Sequence, residues 1–165
     1  MKFIDLHTCP WQHAIGEDGP KPDPDPAPHR LLSLEQWHAV RAHWPQDLPV
    51  AIEFPNDADI SQLAPDLGRI ALVVLDFPKW TDGRAYSQAH VLRARFKFKG
   101  AIRARGEVLV DMMQLLQRTG FNEVVLRGDQ SQAFAQKALD LFNDVGFYQG
   151  DVAETRPWFL RGAAA

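Results

Sequence analysis

The sequence predicts a mainly parallel α/β sheet built from β-α-β units, either open or curved like half of a barrel. Three observations predict this fold class. After Pro49, short apolar runs rich in β-branched residues alternate with stretches of helical periodicity. Glycines mark the boundaries, where the chain has to turn: Gly100, Gly106, Gly120 and Gly128. Only about four such strands are visible, which is too few for a complete eight-stranded barrel.

The N-terminal third is predicted to contain short elements around a proline-rich loop. Residues 1–15 alternate apolar and polar side chains, which is typical of a short edge strand or hairpin. In residues 16–30 proline recurs at alternate positions, which excludes a helix and favours an extended linker or flap. Ser33 then begins a short helix, with Gln36 in the capping-box position.

Residues 48–148 form the β-α repeat core of a single predicted domain that spans residues 1–165. The predicted strands are Val50–Phe54, Ile70–Leu75, Ala101–Arg105 and Glu123–Leu126, and the helices are Ser87–Phe96, Val108–Arg118 and Ser131–Asn143. Residues 150–165, with Trp158 and Phe159, are interpreted as a covering arm or a partner contact.

Composition excludes several classes of protein. The formal net charge of −3 gives the whole molecule no attraction for nucleic acid or an anionic membrane. Cys9 is the single cysteine, so neither an internal disulfide nor a Cys-x-x-Cys redox pair can form. The start lacks a long apolar core, and no later run approaches ~20 apolar residues, so we expect a cytoplasmic protein.

The best candidate site lies just after the predicted strands, where ligands of parallel sheets bind. Arg103 and Arg105 are two residues apart in a strand and therefore share one face. Their burial requires counter-charges, which Asp76, Asp57, Asp111 or an anionic ligand could supply. The sequence leaves a salt-bridge network within the protein and a site for sulfate, phosphate or a carboxylate both open.

The segment Lys79–Ser87 joins a strand to a helix and concentrates charge, hydroxyl groups and an aromatic ring in nine residues. Free amides near a helix start can hold an anion, although Thr81 or Asp82 could simply cap that helix and Gly83 permit the turn. The candidate anion- or partner-binding residues are Lys79, Asp82, Arg84, Ser87, Arg103, Arg105, Asp111 and Arg127.

The chain lacks the common cofactor and nucleophile motifs. It has no G-x-G-x-x-G loop, phosphate-binding P-loop, H-E-x-x-H or G-x-S-x-G elbow. One cysteine cannot ligate a cluster, so we expect no flavin, haem or iron–sulfur cofactor. Cys9 with His7 and His13 could ligate zinc in principle, but the irregular spacing in a strand favours a structural role, and we expect no metal.

Several runs after residue 48 match a known family pattern: Asn56-Asp57-Ala58-Asp59, Leu75 to Ala89, Leu92-Arg93, Arg103, Gly106 to Leu109, Asp111 and Gly120-Phe121. Over residues 48–130 the chain resembles a proteobacterial family of unknown function whose members are often labelled oxidoreductases involved in sulfite reduction. That label rests on gene neighbourhood, so the resemblance implies a pathway rather than a reaction. Trp80 stands where the family usually has Phe, and Glu107 where it usually has Asp.

Together the residues and the resemblance lead us to expect an accessory protein of sulfite reduction and sulfate assimilation. Its partner is expected to be a small oxyanion, sulfite reductase or another sulfur-assimilation protein, and a homodimer is an open alternative. A second hypothesis is an enzyme acting on a small anion, with Lys79, Asp76 and Tyr86 as acid/base groups. A third is a structural module in which Trp37, Trp44 and Trp158 form an oligomer contact.

Overall fold

The computed structural model describes residues 1–16 and 19–141. Seven strands form one sheet in the order β1-β9-β8-β7-β6-β5-β2, and all neighbouring pairs are parallel. The sheet is an open half-barrel, as the sequence predicts. Its strands are β1 (Lys2–Phe3), β2 (Gln12–His13), β5 (Arg30–Ser33), β6 (Val50–Phe54), β7 (Ile70–Phe77), β8 (Ala101–Gly106) and β9 (Glu123–Val124). A separate antiparallel pair joins β3 (Ile15–Gly16) to β4 (Gly19–Pro20).

From β5 to β9, strands adjacent in sequence are adjacent in the sheet, and helical segments connect them. The helices are α1 (Leu34–Val40), α2 (Arg84–Ala94), α3 (Met113–Thr119) and α4 (Gln132–Asp140), and 3₁₀ helices cover Ile60–Asp66 and Val110–Met112. Helix α1 begins with the predicted capping box: Gln36 N–H donates to Ser33 Oγ, and Ser33 N–H donates to Gln36 Oε1. Among the described residues no helix is long and apolar enough to cross a bilayer.

The N-terminal segment supplies a strand to each edge of the sheet. Strand β1 pairs with β9 at one edge, and β2 pairs with β5 at the other. A flat sheet of seven strands separates its outer strands by about 29 Å, close to the full reach of about 30 Å for the chain from Phe3 to Gln12. Because this segment also turns back, with Thr8 N–H donating to Asp5 O at 3.2 Å, it can join only the edges of a curved sheet.

The two faces of the sheet have different chemistry. The convex face packs against the helices, and its core includes Ile52, Phe54, Val73, Phe77 and Ile102. On the concave face a row of four apolar residues and one histidine lies in register: His13, Leu31, Ala51, Leu72 and Ala101. Trp11 packs against the small apolar cluster on this face. The convex face therefore supplies most of the core, and the concave face is left for polar groups near the carboxyl ends of the strands.

The fold corrects several expectations in detail. Residues 1–15 contribute edge strands, as predicted, but these strands lie at opposite edges and do not pair with each other. Strand β5 was not predicted, because its four residues give too short a pattern to separate from the following helix. Trp37 and Trp44 are buried in the core, so the oligomer contact proposed for them is wrong. Trp158 and the rest of the predicted tail at residues 150–165 lie outside the described residues.

Candidate functional site

A row of mostly polar side chains crosses the concave face next to the apolar row. In register order it contains Ser33, Glu53, Val74, Arg103, Glu123 and Lys2. One step closer to the carboxyl ends, Asp76 lies in register with Arg105. Alternation along each strand directs these residues to one face. The structure therefore gathers six charged groups from five strands on the inner surface of the half-barrel.

Arg103 is the most buried charged side chain of this row, with 3% of its surface exposed. Its Nε and Nη2 donate to Glu123 Oε2 at 2.9 and 2.7 Å. Its Nη1 donates to the Sγ of Cys9 at 3.2 Å. The carboxylate supplies the counter-charge that burial of a guanidinium requires, and the contact to Cys9 ties the N-terminal segment to the middle of the sheet.

Arg105 is held between two carboxylates. Its Nη2 donates to Glu53 Oε1 in a short contact, and its Nε donates to Asp76 Oδ1 at 3.4 Å. Burial alone would lower the pKa of Arg105, but Glu53 and Asp76 more than offset this, so its pKa is raised. The Nδ1 of His13 lies 3.6 Å from Glu53 Oε2, so protonated His13 would join the same network. Of the counter-charges that the sequence left open, Asp76 is the one that contacts Arg105.

Arg103 lines two cavities beside this network. The larger, of about 350 Å³, lies between the N-terminal segment and the concave face, and Arg103 and Arg105 both line it. The smaller, of about 140 Å³, lies beneath the β1 edge and is lined by Lys2, Asp5 and Glu123 among others. Cys9, Trp11 and Arg103 line both cavities, so these three residues form the wall between them.

The Lys79–Ser87 loop follows β7 at the carboxyl end of the sheet. Asp82 forms a salt bridge of 2.7 Å with Arg84, and it accepts a hydrogen bond from Asn56 at 2.9 Å. The hydrogen bond from the side chain of Arg84 is the main cause that lowers the pKa of Asp82 to about 2. Asp82 also accepts from the backbone N–H of Arg84 at the start of α2. The sequence offered Thr81 and Asp82 as candidate caps of α2. In the structure it is Asp82 whose side chain accepts a hydrogen bond from a backbone N–H at the start of the helix.

Other predicted residues lie outside the concave network. Arg127, in the segment that follows β9, donates to Glu107 and to Asp129 at 2.6–2.7 Å. Lys79, Ser87 and Asp111 are exposed, and no hydrogen bond or ion pair of their side chains occurs within residues 1–16 and 19–141. The predicted cations therefore do not all meet at one site. Arg103 and Arg105 share the concave face and its larger cavity, whereas the other three, Lys79, Arg84 and Arg127, do not line that cavity.

The three suggested acid/base groups have different surroundings. The ring of Tyr86 packs against Phe77 and Phe121 on the helix side of the sheet, and burial raises its pKa to about 12. Asp76 faces the concave side, where it binds Arg105. Lys79 is exposed in the loop. No contact among the described residues connects these three groups, and no described cavity is lined by all of them. The hypothesis of an enzyme that uses all three therefore stays a prediction.

Sequence reasoning missed three residues that dominate the site: Glu53, Glu123 and Cys9 as the neighbour of Arg103. A usable signal existed for Glu53, which is the only charge inside the apolar strand Val50–Phe54. No group of three or more His, Cys, Asp or Glu side chains that could hold a metal occurs in the described part of the chain.

The fold and the site define an α/β half-barrel protein with a charge-paired concave face. The chain belongs to the family described as bacterial protein of unknown function (DUF934), whose model matches residues 51–159. The match includes Glu53, Arg103, Arg105 and Glu123, and Cys9 precedes it. No curated protein matches the chain.

Proposed function

We propose that this chain is an accessory protein of sulfite reduction that binds a partner protein through the loop between β7 and α2. The observation that carries the proposal is Trp80, whose side chain is 58% exposed in that loop. Lys79 beside it is also exposed. Exposed tryptophan is costly to hydrate, and tryptophan is among the residues that contribute most to protein–protein affinity.

The same loop supports the link to sulfur assimilation, because the run from Phe77 to Ala89 is the most specific part of the resemblance described above. Part of this run is explained by packing, since Phe77, Ala85 and Ala89 are buried in the core. Lys79 and Trp80 are not explained in this way. A surface loop that only connects a strand to a helix needs a turn and a cap, and neither role requires a lysine or an exposed indole.

A bare oxyanion is the less favoured ligand of the predicted arginines. Arg84, Arg103, Arg105 and Arg127 each form a salt bridge with at least one carboxylate. Sulfate would have to share each guanidinium with an oxygen that the protein already supplies. The geometry therefore supports a protein partner at the exposed loop better than an inorganic anion at the paired arginines.

The test is direct binding between this chain and purified sulfite reductase of the same bacterium, measured by isothermal titration calorimetry. Trp80→Ala should weaken binding about thirtyfold or more, which corresponds to the loss of ~2 kcal/mol or more that defines a hot-spot residue. Phe134→Ala is the matched control, because Phe134 is an equally exposed aromatic residue on α4. Unchanged affinity of the Trp80 variant, or no binding by the wild-type chain, would contradict the proposal.

A further inference from the structure

The larger cavity of the concave face has the features of a built ligand site. Its volume of about 350 Å³ lies at the lower end of the ~300–1,000 Å³ typical of small-molecule sites. One wall is formed by side chains of the sheet, which include Val74, Arg103 and Arg105, and the other wall is the N-terminal segment that joins the two sheet edges. Nothing in the partner-binding proposal uses this cavity.

We propose that the cavity binds a small organic anion, whose charged group contacts Arg103 and Arg105 and whose apolar part packs against Trp11, Leu31 and Val74. All five residues line the cavity. The inference is independent of the loop that contains Trp80, because that loop does not contribute to the lining.

The charge of the lining favours an anion. Two arginines and His13 line the cavity, and none of the acidic side chains within residues 1–16 and 19–141 does so. The carboxylates that neutralise the arginines contact them without lining the cavity themselves. Within the described lining, a ligand in this space therefore meets guanidinium N–H groups and no carboxylate oxygen.

The guanidinium groups also have hydrogen-bonding capacity left. Each arginine has about five N–H donors, and Arg105 uses only one donor on Nε for Asp76 and one on Nη2 for Glu53. The Nη1 group of Arg105 has no partner among the described residues. Glu123 holds Arg103 at two of its nitrogens before any ligand arrives, so binding need not order that side chain.

The apolar part of the lining distinguishes an organic anion from inorganic sulfate. Sulfate gains only the remaining N–H groups, and it has to compete with three carboxylates for the two guanidiniums. An anion with an apolar body also removes the surfaces of Trp11, Leu31 and Val74 from water, which contributes about 25 cal/mol for each Å² that becomes buried.

Benzenesulfonate is a suitable probe, since it combines a sulfonate with a small apolar ring. At equal concentration and constant ionic strength it should raise the melting temperature of the wild-type chain. Benzenesulfonamide has the same ring without the charge, and inorganic sulfate has the charge without the ring, so both should stabilise clearly less. Equal stabilisation by the sulfonamide would overturn the role of the arginines, and equal stabilisation by sulfate would overturn the role of the apolar wall.

Cys9 provides a second readout on the unmodified protein, because it lines the cavity and is the only cysteine of the sequence. Saturating benzenesulfonate should slow alkylation of Cys9 by neutral iodoacetamide at least threefold, measured by intact-mass spectrometry. An unchanged alkylation rate at a concentration that raises the melting temperature would place the anion elsewhere and overturn the proposal.

Arg105→Gln should abolish both effects of benzenesulfonate. The matched control is Arg127→Gln, because Arg127 also lies between two carboxylates but does not line the cavity. If Arg127→Gln lost the response to benzenesulfonate and Arg105→Gln kept it, the proposal that the anion binds at Arg105 would be overturned. The Cys9 measurement on the wild-type chain decides the question even if Arg105→Gln does not fold.

Discussion

The Nη1 of Arg103 lies 3.2 Å from the Sγ of Cys9, although the two residues are separated by 94 positions in the sequence. This contact joins the N-terminal segment to the central strands. Because Arg103 is almost completely buried, its position depends on the groups that surround its guanidinium. The first prediction concerns the most important of these groups, Glu123.

Glu123→Gln should destabilise the fold strongly. The substitution keeps the shape of the side chain but leaves a buried guanidinium without its counter-charge, which typically costs about 3–5 kcal/mol. Chemical denaturation followed by circular dichroism measures the change. Asp129→Asn is the matched control, since it removes an exposed carboxylate from Arg127, which is half-buried and keeps its contact with Glu107, and should change stability little. Similar denaturation midpoints for both variants would show that the Arg103–Glu123 pair is dispensable.

Gly106→Ala should also reduce stability. Gly106 has a φ of +97°, and a Cβ added there would lie 2.5 Å from the carbonyl oxygen of Phe77. Backbone strain of this kind costs about 1–3 kcal/mol, and the steric clash adds to it. At Gly128 an added Cβ meets no atom within 4 Å, so Gly128→Ala serves as the control. A melting temperature that falls equally in both variants would contradict this explanation.

Alkaline pH should weaken the fold through Tyr86. Burial raises the pKa of Tyr86 from 10.0 to about 12, so between these values the unfolded chain loses a proton that the native chain keeps. Stability is therefore fully present below about pH 10 and declines as pH rises towards 12. Denaturation midpoints at pH 9 to 11.5 should show a steeper decline for the wild type than for Tyr86→Phe. Parallel pH profiles of the two proteins would refute the assignment.

Removing the charges of Lys79 in the β7–α2 loop and of Arg84 at the start of α2 should impair function without lowering stability. Lys79→Ala and Arg84→Ala should leave the melting temperature nearly unchanged, because exposed charges contribute little. Under the proposed function both variants should impair growth on sulfate as sole sulfur source and leave growth on cysteine normal. Lys99→Ala is the control, since Lys99 is an exposed lysine of a different loop. Normal growth on sulfate, in a strain where gene deletion impairs it, would exclude a functional role for these charges.

The sequence predicted β6, β7 and β8 because each of these strands has at least five residues, which is enough to show a pattern. Val50–Phe54 was predicted with the bounds that the structure gives, and the strands starting at Ile70 and Ala101 were predicted to within two residues. Strands β1 and β2 have two residues each, and so short a segment has no periodicity to detect. They form because neighbouring strands offer free backbone groups, which is information that lies elsewhere in the chain.

The site was predictable only in part for a related reason. Alternation placed Arg103 and Arg105 on one face, and the strand order placed Asp76 near them. Pairing of Arg103 with Glu123 depends on the register between β8 and β9, and the sequence of either strand alone does not determine that register. The approach of Cys9 depends on the path of the N-terminal segment across the sheet, which no local pattern encodes.

The placement of β1 and β2 at opposite edges has a consequence for synthesis of the protein on the ribosome. Lys2 pairs with Glu123, so β1, which is synthesised before the other strands of the sheet, cannot pair until β9 has been synthesised. At ~5–20 residues per second that delay is about 6–24 s. During this time the edge of the growing sheet is unpaired and open to other nascent chains. Molecular chaperones that cover exposed strands would therefore act on this protein mainly before Val124 has emerged.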